Sequence, residues 1–483
     1  MADPVLDLKI VETHTSILFF VGDHVYKLKK AVDLGFLDHR SRVVRQETCR
    51  REVELNRRLA PDVYLGVIDL VDEQGSVVDH LVDMRRMPDE RRLSLAIERG
   101  DDVEPALRSI AHAIAGLHER CGPDRRHDAL ASVAAVRQRW TDGFEQLRRL
   151  PTDRAVAESL AMMETLAGRF LDGRGPLFEQ RIEHGWIRDG HGDLQADDIF
   201  VLDDGPRILD CIEFGEEYRW GDVLADAAFL AMDLERLGRG DLAHGFLRLH
   251  RELVADRWPA TLADHYIAYR AHVRAKVGIV RAAQRSEAVG EAVGSYVDLA
   301  IDHLRAAQVR MVLVGGAPGT GKSTVAEQMG DRLGAVVLRT DEVRQRTSVG
   351  STEDRYSPEA VTATYLETLL EARRLVGLGE HVILDATWGS GLHRGLARQA
   401  AVEASCELAE LRCVLSSAEA RARIERRRAQ GTDASEVTVE VAAQLEARFE
   451  PWPEATDLST MADPAAVVDV AMAALATQEA PIT

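Results

Sequence analysis

The chain has 483 residues, 46% hydrophobic and 5% aromatic, with a formal net charge of -20. That length allows about three domain-sized units, and the apolar content excludes a disordered chain. The acidic balance argues against a grip on nucleic acid, whose phosphates need a basic surface.

The opening MADPVLDLKI lacks the basic and apolar regions of a signal peptide, and no apolar run approaches the roughly 18 residues that cross a bilayer, so a cytoplasmic location without a membrane partner is expected. Residues 1 to about 90 read as strands with one helix. ILFFVG and HVYKLKK form a hairpin around Gly22-Asp23, and TCRREVELNRRLAP has helical spacing through Val53, Leu55 and Leu59. VIDLVDEQGSVVDHLVDMRRM supplies another pair of strands. From about 91 to 186 the pattern turns helical, as in ALRSIAHAIAGLHERC and VAESLAMMETLAGRFL. HGDLQADDIFVLDDGPRILDCIEF interrupts it with two short strands, IFVL and RILD, joined by the turn signal DDGP. Helices resume to about residue 308, and one of them, HYIAYRAHVRAKVGIVRAAQR, lines up Arg270, Arg274, Arg281 and Arg285 near one face. That stripe either holds an anionic substrate or is solvated and paired with carboxylates.

At RMVLVGGAPGTGKSTVAEQMGDRL the grammar becomes strand, glycine loop, helix, and later apolar strands (AVVLRT, HVILDA, LRCVLS) alternate with helices, which indicates a parallel sheet. The boundary falls near Ala306 to Val309. Cys49, Cys121, Cys211, Cys406 and Cys413 are odd in number and scattered, so neither a disulfide framework nor a zinc site is suggested.

GAPGTGKS, Gly316 to Ser323, fits the pattern G-x-x-x-x-G-K-[ST] in the strand-to-helix context its mechanism requires. Backbone N–H groups around Gly316, Gly319 and Gly321 and at the helix start (Lys322, Ser323, Thr324) would cradle phosphates. Lys322 would reach the terminal phosphates, and Ser323 with Asp385, at the end of VILD, would hold Mg2+. Asp341 in RTDEVR either takes a proton from a substrate hydroxyl or caps a helix. RARIERRR offers Arg423, Arg426, Arg427 and Arg428, with Arg423 and Arg427 the expected lid over the phosphates. The layout resembles the small P-loop kinases that include gluconate kinase, the zeta toxins and polynucleotide 5′-kinases, over about residues 309 to 460.

The N-terminal part offers a second phosphate-handling set: a strand lysine, a helix glutamate to hold it, a loop carboxylate and two metal ligands, in that order. HVYKLKK provides Lys27, with Lys29 the alternative on the same strand face. These are two of only six lysines in the chain. Glu52 lies on the following helix, Asp193 follows His191-Gly192, Asp198 comes five residues later, and Asp210 ends RILD. HGDLQADDI and ILDCIEF resemble the aminoglycoside-phosphotransferase-like kinases, whose loop reads H-G-D-x-x-x-x-N. The resemblance implies that Asp193 is the catalytic base, that Asp198 takes the asparagine's place as a metal ligand, that Asp210 is the main Mg2+ ligand, and that Met84 and Met87 line the adenine.

The expectation is an α+β two-lobed kinase-like domain over residues 1–305 (N-lobe about 1–90, helical C-lobe about 91–305), followed by an α/β P-loop domain with a parallel sheet over 309–483. Each half would bind ATP with Mg2+ and pass phosphate to a hydroxyl of a small molecule. The alternatives are that one half only gates the other by binding nucleotide, or that the P-loop half is a nucleic-acid 5′-end kinase.

Overall fold

In the first ninety residues, period-two patterning builds an antiparallel sheet. The computed structural model of the chain describes residues 8–13, 15–33, 37–150, 154–285, 287–347, 357–430 and 439–477. Strands β1 (Leu8–Glu12), β2 (Ser16–Val21), β3 (His24–Lys29), β4 (Tyr64–Val71) and β5 (Val77–Arg85) lie in the order β1-β2-β3-β5-β4. The β2–β3 turn is Gly22-Asp23, as expected, with Val21 opposite His24. Strand β1 is an edge strand whose residues are mostly exposed, so it carries no inward-facing apolar signal. Alternation along β3 buries Val25, Lys27 and Lys29 on one face. Two lysines thus occupy positions where a strand normally puts core residues.

The helix Arg42–Asn56 packs on β4 and β5 and turns Glu52, Val53 and Asn56 inward. It starts earlier than the apolar spacing suggests, because its first turns expose Val43 and Val44 and bury Arg45 and Thr48 instead. Downstream, β6 (Ile187–Asp189) pairs with β9 (Trp220–Asp222), and β7 (Ile199–Leu202) pairs with β8 (Gly205–Ile208). Phe200 and Leu209 from this second hairpin join Val25, Val53, Tyr64, Met84 and Met87 in one apolar cluster. Asp210 does not end a strand. It sits two residues past β8 in the left-handed region, at φ 63, a conformation that aspartate tolerates better than most side chains.

The second sheet is parallel throughout: β10 (Arg310–Gly315), β11 (Val336–Arg339), β12 (Val382–Asp385), β13 (Glu407–Val414) and β14 (Thr456–Ser459), in the order β11-β12-β10-β13-β14. Central β10 is buried from Met311 to Gly315, the unbroken apolar run of a strand covered on both faces. Strand β14, TDLS, has no apolar period of its own and is held by β13.

The chain therefore combines an α+β two-lobed kinase-like fold with an α/β P-loop fold, the two classes expected. Its two compact units are not uninterrupted stretches. The first comprises Met1–Pro151, Glu179–Arg257 and Tyr266–Ala300, and the second Thr152–Phe178, Trp258–His265 and Ile301–Thr483. A cut near residue 306 separates the two sheets, but two upstream helical segments pack with the second. Within that unit the Gln308 amide donates to the Leu166 carbonyl at 3.3 Å, and His265 stacks on Phe170 at 4.3 Å between ring centroids. All five cysteines are free. Among the described residues, no helix is long and apolar enough to cross a membrane.

Candidate functional site

In the first unit the buried lysines of β3 meet carboxylates from two separate segments, the helix Arg42–Asn56 and the stretch after β8. Lys27 Nζ lies 2.8 Å from Glu52 Oε1 and 2.6 Å from Asp210 Oδ1. Lys29 Nζ lies 2.6 Å from Glu52 Oε2 and also pairs with Glu213. Glu52 is fully buried between them. Burial opposes the charge on Lys27, but Asp210 and Glu52 outweigh it and hold the ammonium above the ordinary lysine range. Burial also works against Glu52, and Lys27 and Lys29 reverse that and keep it ionised. Of the two lysines, Lys27 is the one that reaches Asp210. Glu213 was not anticipated, although two inward lysines on one strand already imply a second counter-charge.

Asp226, also not anticipated, holds the loop carrying Asp193. It accepts from the backbone N–H of His191 at 2.9 Å and of Gly192 at 2.8 Å, and contacts His118 Nε2 at 3.0 Å. Burial raises its pKa, but the His118 hydrogen bond and charge, with the His191 contacts, pull it well below the carboxylate range. Gly192 has φ 87, and a Cβ there would lie 3.0 Å from the Tyr218 carbonyl oxygen and from the Ile212 side chain, so glycine is required. His191 Nε2 contacts the Leu209 carbonyl at 3.0 Å, tying the loop to the segment that presents Asp210. Asp210 is itself anchored: its N–H donates to the Tyr64 hydroxyl at 3.1 Å, and the Cys211 N–H donates to Asn56 Oδ1 at 2.9 Å.

Asp193, Asp198 and Asp210 therefore share one electrostatic neighbourhood. Burial pushes Asp193 up to about 6, with Asp210 adding to the effect and Arg274 and Arg270 opposing it. Burial, then Asp210 and Asp193, push Asp198 well above the carboxylate range. Lys27 holds Asp210 down to about 2. Met84 and Met87 are buried in the apolar cluster that spans Val25 and Phe200.

The glycine loop of the second unit is assembled mainly from backbone. Gly316, Gly319 and Gly321 have φ 140, 86 and 89. A Cβ at Gly316 would lie 2.6 Å from the Cys413 carbonyl oxygen, and one at Gly319 would lie 2.6 Å from that of Ala420. The Gly316 N–H donates to the Thr387 carbonyl at 3.1 Å, and the Thr460 hydroxyl donates to the Thr320 carbonyl at 2.6 Å. Lys322 and Ser323 open the following helix, Lys322–Leu333, half-buried, with Thr324 exposed. Asp385, at the end of β12, is buried, hydrogen-bonded by Ser323, and leaves Oδ1 without a partner. Burial raises its pKa, against the opposing effects of Lys322 and Ser323.

Asp341 lies in the first turn of the helix Thr340–Thr347, so it is not the N-cap residue, and it accepts from Arg344 at 2.8 Å with its side chain 56% exposed. Arg423 Nη2 donates to the Thr460 carbonyl at 2.7 Å beside Gly321. The side chains of Arg427 and Arg428 lie outside the described residues. Two further neighbours were not foreseen: Arg339, which pairs with Glu327 and lies 3.8 Å from Asp385, and Trp388, fully buried, whose N–H donates to the Tyr365 hydroxyl at 3.1 Å.

The family described as an AAA domain matches residues 311–452, the stretch that carries this loop. Among solved structures, a choline/ethanolamine kinase family protein from Mesorhizobium loti is 12% identical, covers 63% of this chain and 89% of its own, and superposes with a TM-score of 0.38. A sugar kinase from Janibacter sp. HTCC2649 is 17% identical, covers 35% of this chain and 96% of its own, with a TM-score of 0.28. At such scores the fold assignment stands on the strand orders and side-chain geometry above. Uncharacterized protein Rv2004c of Mycobacterium tuberculosis is 42% identical over 460 residues, spanning 93% of this chain and 91% of that protein. With that identity along nearly the whole length of both, the chain belongs to the same family as this mycobacterial protein.

Proposed function

We propose that the chain is an ATP-dependent phosphotransferase with two kinase-type sites, each passing a phosphoryl group to a hydroxyl of a small molecule. The observation that carries this reading is the ion-pair chain Asp210–Lys27–Glu52, buried at Lys27 and Glu52 and open to solvent at Asp210, set beside a loop that presents Asp193 and Asp198. A strand lysine fixed by a helix glutamate is the arrangement that positions ATP phosphates. The apolar cluster of Val25, Met84, Met87, Phe200 and Leu209 suits an adenine ring. In the first site Asp210 and Asp198 would hold Mg2+. The donor set fits, because Asp198 is crowded by two other carboxylates, and a divalent cation there relieves their repulsion. In the second site Ser323 and the unpartnered Oδ1 of Asp385 would hold it. Bound Mg2+ supplies charge neutralisation for the phosphates. Asp193 and Asp341 would accept the proton of the attacking hydroxyl.

The net charge of -20 supports a small-molecule acceptor over nucleic acid. Calorimetry with a non-hydrolysable ATP analogue and Mg2+ tests the reading. Two nucleotides should bind per chain, one with Lys322→Ala, and one with Lys27→Ala. A wild-type stoichiometry of one would remove the two-site reading.

A further inference from the structure

Four arginines share a helical spacing on Ala260–Arg285, but their surroundings divide them: Arg270 and Arg274 are half-buried, and Arg281 and Arg285 are exposed. Arg270 is locked in place. Its Nε donates to the Ala225 carbonyl at 2.9 Å, its guanidinium lies 4.9 Å from the Phe229 ring centroid, and its Nη1 donates to the Gly192 carbonyl at 3.3 Å. It therefore sits against the residue that precedes Asp193. Arg274 is one turn further along, and its Nε is buried without a hydrogen-bond partner.

The more deeply buried arginines of this unit are treated differently. Arg181 is matched by Asp222 and Asp256, Arg45 by Asp79, and Arg219 by Asp189. Arg274 has no such carboxylate within ion-pair distance among the described residues, although after burial its charge weighs most on Asp193. A half-buried guanidinium whose Nε lacks a partner is open to a ligand, and its planar fork matches carboxylate and phosphate oxygens. Asp193, Asp198 and Asp210 are committed to the hydroxyl and the metal.

Resting on the phosphotransferase reading of the first unit, we propose that its acceptor carries an oxyanion group, carboxylate or phosphate, bound by Arg274 with Arg270 beside Asp193. The two arginines provide local attraction that the chain's net charge of -20 denies to an anion elsewhere. They also fix the direction of the acceptor: the oxyanion lies on the helix side of Asp193, and the hydroxyl to be phosphorylated lies toward Lys27.

The test uses the full-length chain saturated with ADP and Mg2+, so that both nucleotide sites are filled, and titrates three probes with one carbon skeleton: glycerol, D-glycerate and sn-glycerol 3-phosphate. Calorimetry should find at least one anionic probe bound about tenfold or more tighter than glycerol, and the two anions separate a carboxylate from a phosphate acceptor. Arg274→Gln should erase that preference. Arg274→Lys, which keeps the charge but not the fork, should weaken it several-fold, which keeps the test valid if the glutamine variant fails to fold. Arg281→Gln, on the exposed part of the same helix, should match the wild type. Equal binding of glycerol and both anions, or an unchanged preference in Arg274→Gln and Arg274→Lys, overturns the proposal. If ADP itself does not bind, or Lys27→Ala leaves its stoichiometry intact, it is the phosphotransferase reading that fails.

Discussion

The two lysines expected at phosphates are held in opposite ways. Lys27 is gripped by side chains, with Glu52 and Asp210 both within 2.8 Å and little exposure to water. Lys322 stands at a helix start behind a loop of three positive-φ glycines, and forms no ion pair among the described residues. The first site is a charge network drawn from residues 27, 52, 193 and 210, and the second is a backbone cradle of eight consecutive residues. A network of buried charges fails when one member is removed, because its partners are left uncompensated. A cradle of N–H groups has no single side chain on which it depends for shape.

That contrast is most exposed at Asp210. With the P-loop half silenced by Lys322→Ala, Asp210→Ala should abolish phosphoryl transfer, a loss of about 10³-fold or more, since it removes the partner of Lys27 and, on the proposed reading, a metal ligand. Residual activity within about tenfold of the parent, measured as ADP release, would mean the network is dispensable. In the P-loop half, isolated conversely by silencing the first half with Lys27→Ala, Asp341→Asn should lower turnover by about 10²-fold while ATP affinity stays within a few-fold, as for loss of a general base. If turnover survives, the Asp341–Arg344 pair is only a helix-surface ion pair.

The pH dependence separates the sites further. Asp193 must be ionised to accept a proton, and its pKa is raised to about 6. Turnover of the first half should fall about tenfold per unit below pH 6 and level off above it. The same shift costs stability above pH 6, where the folded chain must carry a buried carboxylate, and that cost fades as pH falls through 6 toward the unfolded value. Asp193→Asn should therefore raise the metal-free Tm at pH 8 more than at pH 5. A pH profile flat from 5 to 8 would break the assignment. The smallest effect is expected at Asp198. Asp198→Asn should raise the Mg2+ concentration for half-maximal activity a few-fold and preserve turnover at saturating metal, because one negative charge leaves the metal site. An unchanged Mg2+ dependence would show that Asp198 is not a ligand.

How far each site could be read from sequence follows from the same contrast. GAPGTGKS was legible because neighbours in the chain are neighbours in the cradle, and HGD with ILD nearly so, because one short hairpin joins them. Asp226 gave no local signal: its grip on the His191 and Gly192 amides exists only once the helix Val223–Arg236 lies under the loop. Asp341 could be read as a helix cap, but β11 stops at Arg339 and the helix already begins at Thr340, a boundary that a run of polar residues does not mark. The edge strand β1 and the short β14 were missed because neither has the apolar period that a buried face imposes.

By itself the sequence determined the two fold classes, the order of the strongly patterned elements and the candidate residues for phosphate. These follow from periodicity and from motifs whose chemistry is local. Tertiary structure alone decided which β3 lysine reaches Asp210, which carboxylate answers the other, and which two of four arginines on one helix act on Asp193. Helical or strand spacing fixes only the face on which a side chain stands. What that face meets depends on elements far away in the chain, and burial then sets whether a charge is solvated, paired or left for a ligand.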